Sequence, residues 1–135
     1  MHLTQLGMVG YGEVGKIITA GLQQHMQSVQ VWDLKFNTSS TAPTETQHAT
    51  QAGFIACDGM KTLCQASNFI ISAVTASQTL AVAAEAAKYI NKGCVFLDLN
   101  SASPATKQAA AKVIEAAGGH YIEAGVMTSI PPYGV

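Results

Sequence analysis

One stretch, LGMVGYGEVGKIITAGL at residues 6–22, limits what this chain can fold into more than any other, because it reads as a buried strand, a glycine turn and a helix in immediate succession. Gly10, Gly12 and Gly15 stand at the G-x-G-x-x-G spacing that lets a backbone wrap closely around a pyrophosphate. Gly10 makes the tight turn, Gly12 lets phosphates approach without a Cβ in the way, and Gly15 lets the helix press against the strand. The candidate phosphate-binding turn is therefore Gly10, Tyr11, Gly12, Glu13, Val14 and Gly15, with backbone N–H groups and the helix dipole facing an anion. The Glu13 side chain suits the helix dipole but would repel a phosphate. The same spacing occurs in turns that bind nothing, so a second feature has to decide. Asp33 supplies it. It closes the apolar, β-branched run SVQVWD about 20 residues downstream, where a carboxylate can accept hydrogen bonds from both hydroxyls of a ribose.

The rest of the chain alternates strands and helices. Val14, Ile17, Ile18, Gly21 and Leu22 recur at three- and four-residue intervals, which predicts a helix over 13–26 with that face on the sheet. Gly21 costs about 1 kcal/mol there relative to Ala, and a close helix-to-strand contact would explain it. Residues 36–47 read as a surface connection leading into a helix over 44–52, followed by a short strand at 53–57 and a short helix at 59–66. NFIISAV, residues 68–74, is a continuous apolar run typical of a strand buried on both faces. An alanine-rich helix over 77–90 follows, with Leu80, Ala84, Ala87 and Ile90 as its packing face. A strand at 95–99, a helix at 104–117 with Pro104 in its first turn and a strand at 120–124 complete the series. This order implies right-handed crossovers and an α/β doubly wound parallel sheet, a Rossmann fold, of about six strands in the order 3-2-1-4-5-6. A ligand then lies across the carboxyl ends of the strands, at residues 10–15, 73–76 and 99–103, which selects Thr75, Asn100 and Ser101 as further candidates.

At 135 residues the chain is expected to be one domain with a true core. Only 11% of residues are charged against 48% apolar, so part of the surface is expected to be covered, for instance in a homodimer. A net charge of −1 gives no reason to expect nucleic acid or an anionic membrane, and no apolar segment is long enough to span a bilayer. All seven basic residues are lysines, which leaves no guanidinium fork for phosphate or carboxylate. Cys57, Cys64 and Cys94 lack metal or disulfide spacing and read as buried reduced thiols of a cytoplasmic protein. His2, His25, His48 and His120 have neither metal spacing nor a nucleophile partner, so no metal site is expected.

LGMVGYGEVG, Asp33, FIISAVTAS and FLDLNSASPATKQAAA together resemble the N-terminal, nicotinamide-binding domain of the β-hydroxyacid dehydrogenases, the group containing 3-hydroxyisobutyrate and 6-phosphogluconate dehydrogenases. Asp98, Asn100, Ser101 and Pro104 carry the most specific part of that resemblance. It implies hydride transfer between a nicotinamide cofactor and a small 3-hydroxy acid, with Val74 and Thr75 bordering the cofactor and Ser101 near its nicotinamide end. After the sixth strand, where the family usually has a Ser-Gly-Gly substrate loop, this chain reads EAGVMTSIPPYGV and places Met127, Thr128 and Ser129. That version is similar to a less characterised, phosphogluconate-dehydrogenase-like branch. The family's catalytic lysine belongs to a C-terminal helical domain, and none of the seven lysines here stands at the matching place. No catalytic residue is therefore expected within this segment, and that helical domain is expected to lie outside it. NAD is expected over NADP, since a 2′-phosphate would meet Asp33 with only Lys35 to offset the repulsion. A nucleotide-sensing regulatory module of the potassium-transport type uses the same glycine turn and acidic residue and is the alternative, against which the polar loop 99–103 argues.

Overall fold

β-branched and long apolar residues alternate along the central strands, and each alternation places one side chain on either face of a sheet. In β1, Gln5–Val9, Leu6 and Met8 join one apolar cluster while Val9 joins another. In β4, Phe69–Ser72, Ile71 belongs to the first cluster and Ile70 to the second. A sheet with apolar residues on both faces needs helices on both, and the computed structural model, which describes residues 3–37 and 42–124, has them. β1, β2 (Ser28–Trp32), β3 (Ile55–Ala56), β4, β5 (Val95–Asp98) and β6 (His120–Glu123) form one parallel sheet in the order 3-2-1-4-5-6. The expected doubly wound Rossmann architecture is what the chain adopts.

One face is covered by α1 (Glu13–Leu22) and α2 (Ala42–Gln51), through Ile18, Leu22 and Ala49 packed with Val29, Val31 and Phe54. The other is covered by α3 (Met60–Gln65), α4 (Thr79–Ala87) and α5 (Pro104–Ala116), through Leu63, Val82, Ala83, Ala86, Ala110 and Ile114 packed with Val9, Ile70 and Phe96. Complete burial of a Leu or Ile side chain contributes about 1.5 to 3 kcal/mol, so these two layers carry the stability of the fold. Sheet order reverses between β1 and β4, which start the two halves side by side. The loops that leave those strands diverge and open a crevice at their carboxyl ends.

Two helix faces differ from the sequence expectation. In α1 the sheet side is Gly15, Ile18, Thr19 and Leu22, whereas Val14 is 50% and Ile17 66% exposed. Gly21 also faces outward, with open space where a Cβ would stand, so no close contact accounts for it. In α4 the buried residues are Thr79, Val82, Ala83 and Ala86, while Leu80 and Ala84 are exposed. In α1 the packed face is rotated from the centre of the apolar stripe toward Gly15 and Thr19, whereas α4 is alanine-rich nearly all round and gives periodicity no polar face to exclude. Helix bounds also shift, because one-turn 3-10 segments at Gln23–His25, Leu34–Asn37 and Ala76–Gln78 occupy the ends that were read as α-helix or loop.

Candidate functional site

The three glycines of the first turn have three different local reasons. Gly10 has φ of +99°, donates its N–H to the Trp32 carbonyl at 2.9 Å, and lies so close to the next loop that a Cβ would run into the Ala73 carbonyl oxygen. A Cβ at Gly15 would run into the Gly10 carbonyl oxygen, so helix and turn touch there as the sequence predicts. Gly12 is different. Its φ is −79° and a Cβ would meet nothing within 4 Å, so the fold itself does not demand glycine there. What the absent side chain leaves free is the approach to the start of α1. The first N–H groups of any helix lack intrahelical partners, and at α1 no side chain caps them. At α5, by contrast, Ser103 Oγ accepts the Thr106 N–H at 3.2 Å. An uncapped helix start beside an unobstructed glycine is a fit for a pyrophosphate.

Asp33 stands at the end of β2, half-buried, and its carboxylate is fixed by backbone. Oδ2 accepts the Tyr11 N–H at 2.6 Å and Oδ1 accepts the Lys35 N–H at 2.9 Å. A carboxylate oxygen has two acceptor positions, so one on each oxygen remains for a donor outside the fold, a match for the two hydroxyls of a ribose. A cleft of about 720 Å³ connects this carboxylate to the glycine turn. Gly10, Gly12, Glu13, Val14, Gly15, Asp33, Val74 and Thr75 all line it. A second recess of about 460 Å³ adjoins it, shares Val14, Val74 and Thr75, and ends on Leu99, Asn100 and Ser101. Of the fourteen cofactor and substrate candidates, ten thus surround one continuous depression at the carboxyl ends of the strands.

Tyr11 does not join them by its side chain. The ring is 1% exposed, packs edge-on against Phe36 and Phe54, and its hydroxyl lies 2.8 Å from His48 Nδ1, so only its backbone N–H serves the site, through Asp33. Asn100 is also turned inward. Its Oδ1 accepts the Val74 N–H at 2.7 Å and its Nδ2 donates to Ser72 Oγ at 3.0 Å, which ties the loop after β5 to the loop after β4. Met127, Thr128 and Ser129 lie outside the described residues. Among the described residues no group of histidine, cysteine and carboxylate side chains could hold a metal. The three thiols are free and buried, and burial pushes Cys57 and Cys94 up to about 11 and Cys64 to about 12. No helix is long and apolar enough to cross a membrane among these residues.

A family model described as the NAD binding domain of 6-phosphogluconate dehydrogenase matches residues 5–129. The chain belongs to this family. As an NAD-binding domain of that kind it binds a nicotinamide dinucleotide, and the glycine turn, Asp33 and the fold order all agree with the assignment. No curated protein matches the chain. Among solved structures, a conserved hypothetical protein from Sinorhizobium meliloti 1021 is 32% identical, with a TM-score of 0.86, over 97% of this chain and 44% of that one. 3-Hydroxyisobutyrate dehydrogenase from Mycobacterium tuberculosis, solved with L-serine, is 17% identical with a TM-score of 0.80, over 93% of this chain and 41% of that one. An imine reductase from Pseudomonas sp. is 20% identical with a TM-score of 0.73, over 93% and 42%. The last two likenesses are of fold. The chain spans less than half the length of each of these relatives.

Two groups at this end of the domain escaped the sequence reading. Met60, Gln78, Ala81, Val82 and Glu85 line the cleft from α3, α4 and the turn before α4, and nothing local in the sequence marks them. The other is Lys107, 3% exposed, with the Tyr121 hydroxyl, both set against Asp98 (1%), which the resemblance had already named. A signal for Lys107 existed. It falls on the same stripe of α5 as Ala110 and Ile114, and a lysine on an apolar stripe near a helix N-terminus is out of place unless a carboxylate holds it.

Proposed function

We propose that this domain is the cofactor half of an oxidoreductase that transfers hydride between NAD and a small 3-hydroxy acid, and that it prefers NAD to NADP. The observation that carries the reading is the alignment, in one cleft, of the clear approach above Gly12 with the two unused acceptor positions on Asp33. The pyrophosphate is held by backbone N–H groups at the start of α1, the adenosine ribose by Asp33, and the nicotinamide end by Val74, Thr75 and Ser101 in the adjoining recess. Bound there, the nicotinamide ring supplies the hydride-accepting carbon. This chain's own residues bind, orient and shield that ring, while the group that takes the hydroxyl proton comes from outside them. Among the described residues, none of the side chains lining the recess is titratable, which supports that division of labour. Among hydride-transfer substrates, 3-hydroxy acids are favoured by the FLDLNSASP loop and its resemblance to the hydroxyacid dehydrogenases.

NAD preference follows from charge. A 2′-phosphate would lie against the Asp33 carboxylate, and the chain has no arginine to receive it. Loss of one charge-assisted contact costs about 1.5 to 3 kcal/mol, so discrimination of about tenfold or more is expected. Titration with NADH and NADPH tests this. Tighter NADH binding that is narrowed or reversed in Asp33→Asn supports it, whereas equal or tighter NADPH binding by the unaltered chain contradicts it.

A further inference from the structure

Above the apolar layer between the sheet and α5 lies a connected polar layer that reaches the inner recess at Asn100. Lys107, on the first turns of α5, is 3% exposed, and its Nζ sits 3.6 Å from Asp98 Oδ1 and 3.8 Å from Glu123 Oε1. Nζ has no hydrogen-bond partner among the described residues, so its hold on Asp98 is that of a buried charge. Asp98, at the end of β5, is itself 1% exposed. Its Oδ2 accepts the Tyr121 hydroxyl at 2.6 Å, and its Oδ1 accepts the Asn100 N–H at 2.8 Å. Asn100 passes the connection on, because its side-chain oxygen takes the Val74 N–H and its amide nitrogen reaches Ser72. Val74 and Thr75 are the wall shared by the cleft and the recess.

An uncompensated carboxylate is costly at such burial, and a backbone N–H alone does not offset it. Among the described residues Lys107 is the cation paired with Asp98, while Glu123 adds a second negative charge on the open side. Without the ammonium the buried carboxylate lacks its opposite charge, and a turn of Asp98 toward water withdraws the Oδ1 acceptor that fixes the Asn100 backbone. The Asn100 side chain then loses its register on Val74. We infer that Lys107 is a positioning residue: through Asp98 and Asn100 it fixes the Val74–Thr75 wall at the nicotinamide end of the cleft, more than 30 residues away along the chain. The inference rests on the proposed orientation of the dinucleotide. It concerns chiefly the nicotinamide end, because among the described residues the glycine turn and Asp33 share no hydrogen bond with this layer and Gly10 meets the Ala73–Val74 loop by packing.

That asymmetry defines the test. The 135-residue chain and its Lys107→Met and Asn100→Ala variants are titrated with NADH and with ADP-ribose, which has the adenosine, pyrophosphate and both riboses but no nicotinamide. Perturbing a coupled network shifts binding by about twofold to thirtyfold. Lys107→Met is expected to weaken NADH by a factor in that range and to leave ADP-ribose within about twofold. Asn100→Ala should do the same, and the double variant should lose no more than the single ones. Equal weakening of both ligands, or unchanged NADH affinity in Lys107→Met, overturns the inference. Failure of the unaltered chain to bind ADP-ribose would instead strike the cofactor reading itself. Should Lys107→Met not fold, Tyr121→Phe removes one partner from Asp98 while keeping the ring stacked on Phe96, 6.1 Å between centroids. Faster amide exchange at Val74 with weaker NADH binding in that variant supports the inference, and no change in either overturns it.

Discussion

Gly10, Gly12 and Gly15 share one motif and separate cleanly once their surroundings are compared. Gly10 and Gly15 are required by the fold, since a Cβ at either would strike a backbone carbonyl. Gly12 is required by nothing inside the protein. Gly12→Val is therefore expected to keep the thermal midpoint of the unaltered chain while abolishing dinucleotide binding. Gly15→Ala should lower stability by about 1 to 3 kcal/mol, because overpacking against backbone cannot be relieved by a rotamer change. Thermal unfolding and a binding titration on the two variants check this, and a destabilised Gly12→Val or an unaffected Gly15→Ala would contradict it. These residues, with Asp33, were legible in the sequence because spacing alone brings them to one crevice of a doubly wound sheet. Tyr11 and Asn100 were legible in place but not in role. Spacing puts both at the cleft, and only packing decides that the ring of one and the amide of the other turn inward.

At the scale of elements, strand order and helix order could be read from periodicity, and the helix faces could not. α1 has one apolar stripe with Lys16 opposite it, and the side of that stripe away from the sheet carries Val14, Ile17 and Gly21, all of which face outward. The stripe that packs contains Gly15 and Thr19, which hydrophobicity ranks low. Thr19 is buried because its hydroxyl donates back to the Gly15 carbonyl at 2.8 Å. An exposed helical glycine with open space at its Cβ is a site where alanine is better tolerated. Gly21→Ala should stabilise the domain by about 0.5 to 1 kcal/mol, read as a higher denaturant midpoint at unchanged slope. A loss of stability would restore the close contact that the sequence alone suggested.

For the molecule as a whole, burial of its thiols links stability to alkaline pH. Cys57, Cys64 and Cys94 ordinarily ionise near 9.0, and in the folded chain burial raises them to about 11, 12 and 11. The unfolded chain therefore releases these protons first as pH rises. Fewer protons bound to the unfolded state means that stability falls with pH, beginning near 9.0 and continuing through about 11. Denaturation at stepped pH checks the sign, and a flat profile from pH 8 to about 11 would contradict it. The same burial that protects the thiols leaves the ligand crevice as the domain's exposed chemistry. By the reading proposed above that crevice takes phosphate, ribose and ring, and among the described residues its inner recess has no titratable side chain. General acid–base catalysis contributes about 10² to 10⁴-fold in rate, so the chain by itself should bind cofactor without steady reduction of NAD by 3-hydroxy acids.

Binding at that crevice is the claim on which the rest depends, and Trp32 reports on it directly. It is the sole tryptophan, lines the cleft and adjoins Asp33. Titration of the 135-residue chain with NADH, followed by Trp32 fluorescence with Gly12→Val in parallel, is the decisive measurement. Saturable quenching at one NADH per chain, absent in Gly12→Val, is the predicted result; no saturable response in the unaltered chain, or an equal response in both, would contradict it.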